Sequence, residues 1–173
     1  MYRDQGKYGE AEVLLKRALA IRERTLGQTH PDIATTANNL GSLYVDQRKY
    51  ERAETLLQRS LDIREKALGT SHPAVANSLH NLGALYFAQH RYAEAEPLYG
   101  RAVFIMEKSL GPNHPDLAQT LGSYALLLQK TKRKSEASTM NARAKEILTR
   151  NAASRSARQT VDVRDLDRQA WKE

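Results

Sequence analysis

The chain contains no cysteine, which excludes a disulfide framework, thiol catalysis and any cysteine-based zinc site. Aromatic residues are few: two Phe and one Trp accompany eight Tyr among 173 residues. Glycine and proline number only nine and five, far below the content of collagen-like or low-complexity chains. Such a composition suits helices packed through Ala and Leu. No stretch approaches the roughly 18 uninterrupted apolar residues of a membrane span. The opening Met1-Tyr2-Arg3-Asp4-Gln5 lacks the apolar segment of a signal peptide. A cytoplasmic location without membrane association is therefore expected. Acidic residues are also short, 20 against 27 Lys and Arg, giving a formal charge of +7. That excess is local. Residues 1–127 carry 15 basic and 14 acidic side chains, whereas residues 128–173 carry 12 and 6.

What the chain has in abundance is repetition. Leu-Gly-x-x-His-Pro begins at Leu26, Leu68 and Leu110, and each copy stands 42 residues after the last. Leu40-Gly41-Ser42-Leu43-Tyr44 returns as Leu82-Gly83-Ala84-Leu85-Tyr86, and Lys49-Tyr50-Glu51-Arg52-Ala53-Glu54 returns as Arg91-Tyr92-Ala93-Glu94-Ala95-Glu96. A fixed period of this length marks a solenoid, whose units bury their apolar faces only against their neighbours.

One unit can be read in full. Pro31, Pro73 and Pro115 suit the first turn of a helix, where a missing N–H costs nothing. On a helical wheel over 31–46, Ile33, Ala37, Leu40, Gly41 and Tyr44 share an apolar arc, with Thr35, Asn38, Asn39, Ser42 and Asp46 opposite. A second helix over 49–67 directs Tyr50, Ala53, Leu56, Leu57, Ser60, Leu61 and Ile63 inward and closes at Gly69. Gln47-Arg48-Lys49-Tyr50 forms the turn between them. Period-two alternation never persists, so no strand competes.

Leu-Gly-x-x-Tyr in the first helix, Tyr50 after the turn, Ala53 three residues on and small Ser60 after that resemble the tetratricopeptide repeat. The wording Ala20-Ile21-Arg22-Glu23 through His30-Pro31-Asp32-Ile33-Ala34 to Asn38-Asn39-Leu40 is similar to the longer repeats of kinesin light chains and their bacterial relatives. The resemblance implies an all-α, right-handed α–α superhelix of antiparallel helix pairs. Its units are a partial repeat over 1–27, full repeats over 28–69 and 70–111, and a degenerate capping repeat over 112–149. Tyr2 aligns with Tyr44, so the leading unit keeps little beyond its second helix. Truncation upstream, or cover by another chain, is expected there. In the last unit Lys134 replaces Tyr50 and Tyr92, Asn141 replaces Leu57 and Tyr99, and Ala125 replaces Gly83, a polar pattern expected of a cap. Beyond Thr149 a frayed helix passing into disorder is expected, with Val161, Val163 and Trp171 as the only plausible anchors.

Candidate chemistry is sparse. His30, His72 and His114 recur regularly, but equivalent residues of stacked helices stand about 10 Å apart, whereas zinc needs its nitrogens about 2 Å from one ion. They are expected to start helices, and no metal or other cofactor is expected. Gly6-Lys7 lacks the rest of a phosphate loop, and Glu51, Glu54, Glu94 and Glu96 read as surface charge and inter-helix pairing. No catalytic residue is assigned, and the chain is not expected to be an enzyme.

The resemblance implies that first helices line a concave surface, where asparagines hold a partner's backbone. The groove would comprise Thr35, Asn38, Asn39, Ser42, Asp46, Asn77, His80, Asn81, Gln119, Ser123 and Lys130. Asparagine is a poor helix former, and its amide offers both donor and acceptor. Hydrogen bonding between adjacent repeats is the alternative use. The expected function is a non-catalytic scaffold binding an extended or helical segment of a partner protein. A basic patch at Lys130, Lys132, Arg133 and Lys134 is a second candidate surface, for nucleic acid or an anionic surface. No aromatic interleaves those charges, so nucleic acid is not the expected partner. Self-association through the exposed N-terminal helix is the third alternative.

Overall fold

Each repeat's sequence builds its own helix boundaries. The computed structural model describes residues 8–169, with side chains placed for residues 8–154. The elements in order are α1 (Tyr8–Leu26), α2 (Pro31–Asp46), α3 (Tyr50–Leu68), α4 (Pro73–Ala88), α5 (Tyr92–Leu110), α6 (Pro115–Lys130) and α7 (Lys134–Gln169). Among the described residues there is no strand. The turn expected over residues 2–7 and the anchor Trp171 lie outside the described residues. The α7 backbone continues as helix past Thr149 through Val161 and Val163 to Gln169.

The repeated histidines and prolines act together at helix starts. His30, His72 and His114 are N-caps in extended conformation, each followed by proline at the first helical position. Their Nδ1 atoms accept from the backbone N–H of Asp32, Ala74 and Asp116 at 3.2, 3.1 and 3.2 Å. Each thus satisfies one of the donors a helix start leaves open. At the other end, Gly27, Gly69 and Gly111 take φ of 79°, 82° and 87°, which only glycine adopts freely. The turns within repeats end differently. Arg48, His90 and Lys132 have φ of 59°, 63° and 65° without being glycine. Wrapping bonds follow, from the N–H of Lys49, Arg91 and Arg133 to the carbonyls of Tyr44, Tyr86 and Leu128 at 2.9, 2.8 and 2.8 Å.

Helices pack in pairs, α2 with α3, α4 with α5 and α6 with α7, and the pairs then stack. One core runs through the stack, with Leu40, Leu57, Leu79, Leu82, Leu85, Leu117 and Leu121 at 2% exposure or less. Burying one such side chain contributes about 1.5–3 kcal/mol, so this column outweighs the half-exposed ion pairs around it, worth at most about 1 kcal/mol each. Close approach inside a pair depends on glycine. A Cβ on Gly41 would stand 2.7 Å from Leu57 Cγ, and one on Gly83 would stand 3.1 Å from the Tyr99 ring.

The ion pairs fix register between repeats. Glu12 accepts from Tyr44 and Lys49, Glu54 from Tyr86 and Arg91, and Glu96 from Tyr124 and Arg133. A second ladder joins successive outer helices: Arg59 to Glu23, Arg101 to Glu65 and Arg143 to Glu107. Within the second ladder, both partners recur at the 42-residue period.

The direction of curvature also follows. The α2 backbone lies close to that of α4, and α4 to that of α6, whereas among the described residues the backbones of α1, α3, α5 and α7 stay farther apart and are bridged by side chains. The first helices of the repeats therefore crowd together on the inner, concave side.

Candidate peptide-binding groove

The inner helices expose one narrow line each. Asp32, Thr35, Asn39 and Asp46 are exposed on α2, Asn77 on α4, and Asp116, Gln119, Leu126, Gln129 and Lys130 on α6. Between them lies a cavity of about 330 Å³. Six residues expected in the groove line it: Asn38, Asn39, Asn77, His80, Asn81 and Gln119. Four lining residues were not anticipated, namely Arg64, Met106, Asp116 and Thr120.

The lining residues divide by their existing partners. Asn81 Nδ2 donates to Asn38 Oδ1 at 3.1 Å, which ties α4 to α2. Asn38 is only 7% exposed, so its amide works mainly in this seam. At the next seam His80 Nδ1 lies 3.1 Å from Thr120 Oγ1, and the imidazole meets the Tyr99 ring edge-on at 5.7 Å. Burial holds the His80 pKa below its ordinary value, so the ring enters the cavity wall uncharged near neutral pH. Ser123, another predicted groove residue, is half-buried and interacts with the Tyr99 hydroxyl. Thr35 Oγ1 is 3.4 Å from Arg64 Nη2 and also faces solvent. Ser42 is half-buried, and Asp46 and Lys130 are exposed beyond the cavity, toward the C-terminal ends of α2 and α6. The outward amides are those of Asn39, Asn77 and Gln119.

Arg64 is the cation that a first-helix reading misses, because it arrives from α3. Its side chain passes between α2 and α4, donating to the Ala74 carbonyl at 2.9 Å and Ser78 Oγ at 2.8 Å. At 7% exposure its pKa is lowered by burial. Arg22 stands one period earlier and bonds the Asp32 carbonyl and Thr36 in the same way. One period later the position is Met106, whose Sδ accepts from Thr120. The 42-residue spacing of Arg22, Arg64 and Met106 was the available signal.

The basic patch is smaller than its sequence suggests. Arg133 bonds both Glu96 and Glu136, and those carboxylates raise its pKa, Glu136 the more strongly. Lys130, Lys132 and Lys134 are left as its accessible charges. Among the described residues no three His, Asp or Glu side chains gather in a metal-binding group. No described helix is long and apolar enough to cross a membrane.

The geometry is repeated at the level of family. The tetratricopeptide repeat profile matches residues 1–66, 32–108 and 74–150. The chain belongs to the tetratricopeptide repeat family. Repeats of this family generally mediate protein–protein interaction and are generally non-catalytic. The crystal structure of BtubC (BKLC) from P. vanneervenii is similar at 27% identity and a TM-score of 0.77, covering 87% of this chain and 60% of that one. A Podospora anserina protein, described as a kinesin light chain with nearly identical TPR-like repeats, is 27% identical with a TM-score of 0.69, covering 88% and 72%. MamA MSR-1 C2, at 23% identity and a TM-score of 0.56, bears on the fold alone. The chain thus spans less than two thirds of the BtubC chain. No curated protein sequence matches it.

Proposed function

We propose that this tetratricopeptide array is a non-catalytic scaffold that holds an extended or helical segment of a partner protein in its concave groove. The observation carrying this reading is the cavity between α2, α4 and α6, where Asn39, Asn77 and Gln119 turn amides outward around a polar wall. An amide both donates and accepts, which matches the alternating N–H and C=O of an unpaired strand. Three inner helices at about 10 Å spacing cover about six extended residues at ~3.3 Å each. So short a contact supports micromolar rather than nanomolar affinity. The neutral His80 and the seam bond between Asn38 and Asn81 leave the wall rigid before a ligand arrives.

A displayed library of random peptides, selected on the intact chain, supplies the probe. Binding of a selected peptide should weaken about tenfold or more in Asn39→Ala/Gln119→Ala, since each lost hydrogen bond is worth about 0.5–1.5 kcal/mol. Both residues are exposed, so the fold should be unaffected. Undiminished affinity in that variant would overturn the groove reading.

A further inference from the structure

The chain has a formal charge of +7, yet its concave face is acidic. Among Asp, Glu, Lys and Arg, the inner helices α2, α4 and α6 hold only Asp32, Asp46, Asp116 and the single cation Lys130. Two of these carboxylates share a row. Asp32, Ala74 and Asp116 occupy the same position in successive repeats, within the first turn of each inner helix. The next row is Thr35, Asn77 and Gln119, all exposed. It lies three residues, or about 4.5 Å, further along each helix. Asp46 and Lys130 stand at the opposite helix ends, about 20 Å from the first row.

Side chains of the outer helices reach this row unequally. Arg22 donates to the Asp32 carbonyl and Arg64 to the Ala74 carbonyl, but Met106 takes the third place in that series. Asp116 therefore has no arginine beneath it. Its carboxylate meets one partner among the described residues, His114 Nδ1 at 3.8 Å, and that nitrogen already accepts from the Asp116 N–H. A ring nitrogen that accepts carries no proton, so the carboxylate's charge is left uncompensated. Three ionisable groups line the cavity: Arg64, His80 and Asp116. His80 is uncharged, and the Arg64 guanidinium is buried on the α2–α4 side, held by Ala74, Ser78 and Thr35. Asp116 is the one that presents an open charge to a ligand.

We propose that the segment held in this groove is basic, an extended stretch with one Lys or Arg against Asp116 and a second against Asp32. The assignment rests on the groove proposed above and names the chemistry of its partner. The segment's backbone follows the middle row, meeting the amides of Asn77 and Gln119 and the Thr35 hydroxyl. Asp32 and Asp116 lie two repeats apart, about 20 Å, which an extended chain spans in about six residues at ~3.3 Å each. An even spacing sends both cations to the same side of the strand. Between them stands Ala74 with Arg64 behind it, so the intervening residues carry no positive charge.

The displayed library, selected on the intact chain, reads this composition directly. Groove binders should be enriched in Lys or Arg at two positions about six residues apart. For such a peptide, Asp116→Asn should weaken binding about twofold to fivefold, the worth of one exposed ion pair. Added salt should shrink that difference. Asp116→Lys should weaken binding further, and glutamate in place of the peptide's cation should recover it. The Asp116 side chain is 55% exposed, so both variants keep the fold. Peptides that lose affinity in Asn39→Ala/Gln119→Ala but lack basic residues, or are indifferent to Asp116→Lys, would overturn the basic assignment and leave the groove standing. Enrichment in Asp or Glu would overturn it as well, making Arg64 the anchor. Peptides whose affinity is undiminished in Asn39→Ala/Gln119→Ala would overturn both.

Discussion

Gly41→Ala separates packing from helix propensity, because the two act in opposite directions. In an isolated helix, alanine is favoured over glycine by about 1 kcal/mol. Here the new Cβ would stand 2.7 Å from Leu57 Cγ and 2.9 Å from its Cδ2, with the Ala53 carbonyl at 3.4 Å. Leu57 is fully buried, and Cγ is too near the backbone to swing aside. Overpacking of this kind costs about 1–3 kcal/mol, so a net loss of about 1 kcal/mol or more is expected. Gly122→Ala is the matched control, since its Cβ would meet nothing within 4 Å. It should gain about 0.5–1 kcal/mol. The chain contains a related substitution: Ala125 occupies the Gly41 position where Asn141 has replaced Leu57, and Ala125 is fully buried. Urea unfolding followed by circular dichroism reads both variants. Added to Leu57→Ala, the Gly41→Ala change should become neutral or stabilising, a coupling of about 1–3 kcal/mol. A Gly41→Ala midpoint at or above wild type would refute the close approach of α2 and α3.

Three further perturbations test other parts of the stack. His72→Ala removes an N-cap acceptor and should cost about 1 kcal/mol, with His72→Asn recovering most of it, as read by the same unfolding midpoints. Arg48→Gly relieves a φ of 59° at an exposed turn and should stabilise the chain by about 0.5–1 kcal/mol in urea. Glu12 is bonded by Lys16 at 2.6 Å and Lys49 at 2.8 Å, and these cations hold its pKa down to about 2 from 4.5. A depressed carboxylate pKa contributes stability that is present above pH 4.5 and is lost as pH falls toward 2. Glu12→Gln should therefore be less stable at neutral pH, and its stability should fall less steeply across that window in acid-titrated unfolding.

Helix boundaries were legible because the determining chemistry is local. Proline at the first helical position and glycine after the last mark the ends of a helix in any context, and here they recur every 42 residues. The His-Pro starts were placed correctly, although the capping bond through Nδ1 depends on a rotamer that no sequence shows. The groove was legible in part. Asn39, Asn77 and Gln119 stand on the exposed line of their helices, as a wheel places them. Asn38 and Asn81 lie on the same arc, but whether an amide meets solvent or a neighbouring helix depends on how closely α2 and α4 pack. Their bond is a tertiary fact. Arg64 escaped the wheel because it belongs to the other helix of the repeat and reaches the cavity between two inner helices. Arg133 looked like part of a basic run, and only the 37-residue separation from Glu96 in a folded stack reveals its partner.

The claim that the concave face holds a partner is tested most directly by chemical-shift mapping on the intact chain. A library-selected peptide should move the side-chain amide signals of Asn39, Asn77 and Gln119, together with the His80 ring, while signals of the outer helices other than Arg64 and Met106, which also line the cavity, stay in place. Shifts confined to α1, α3, α5 or α7, with those amides unmoved at saturation, would contradict it.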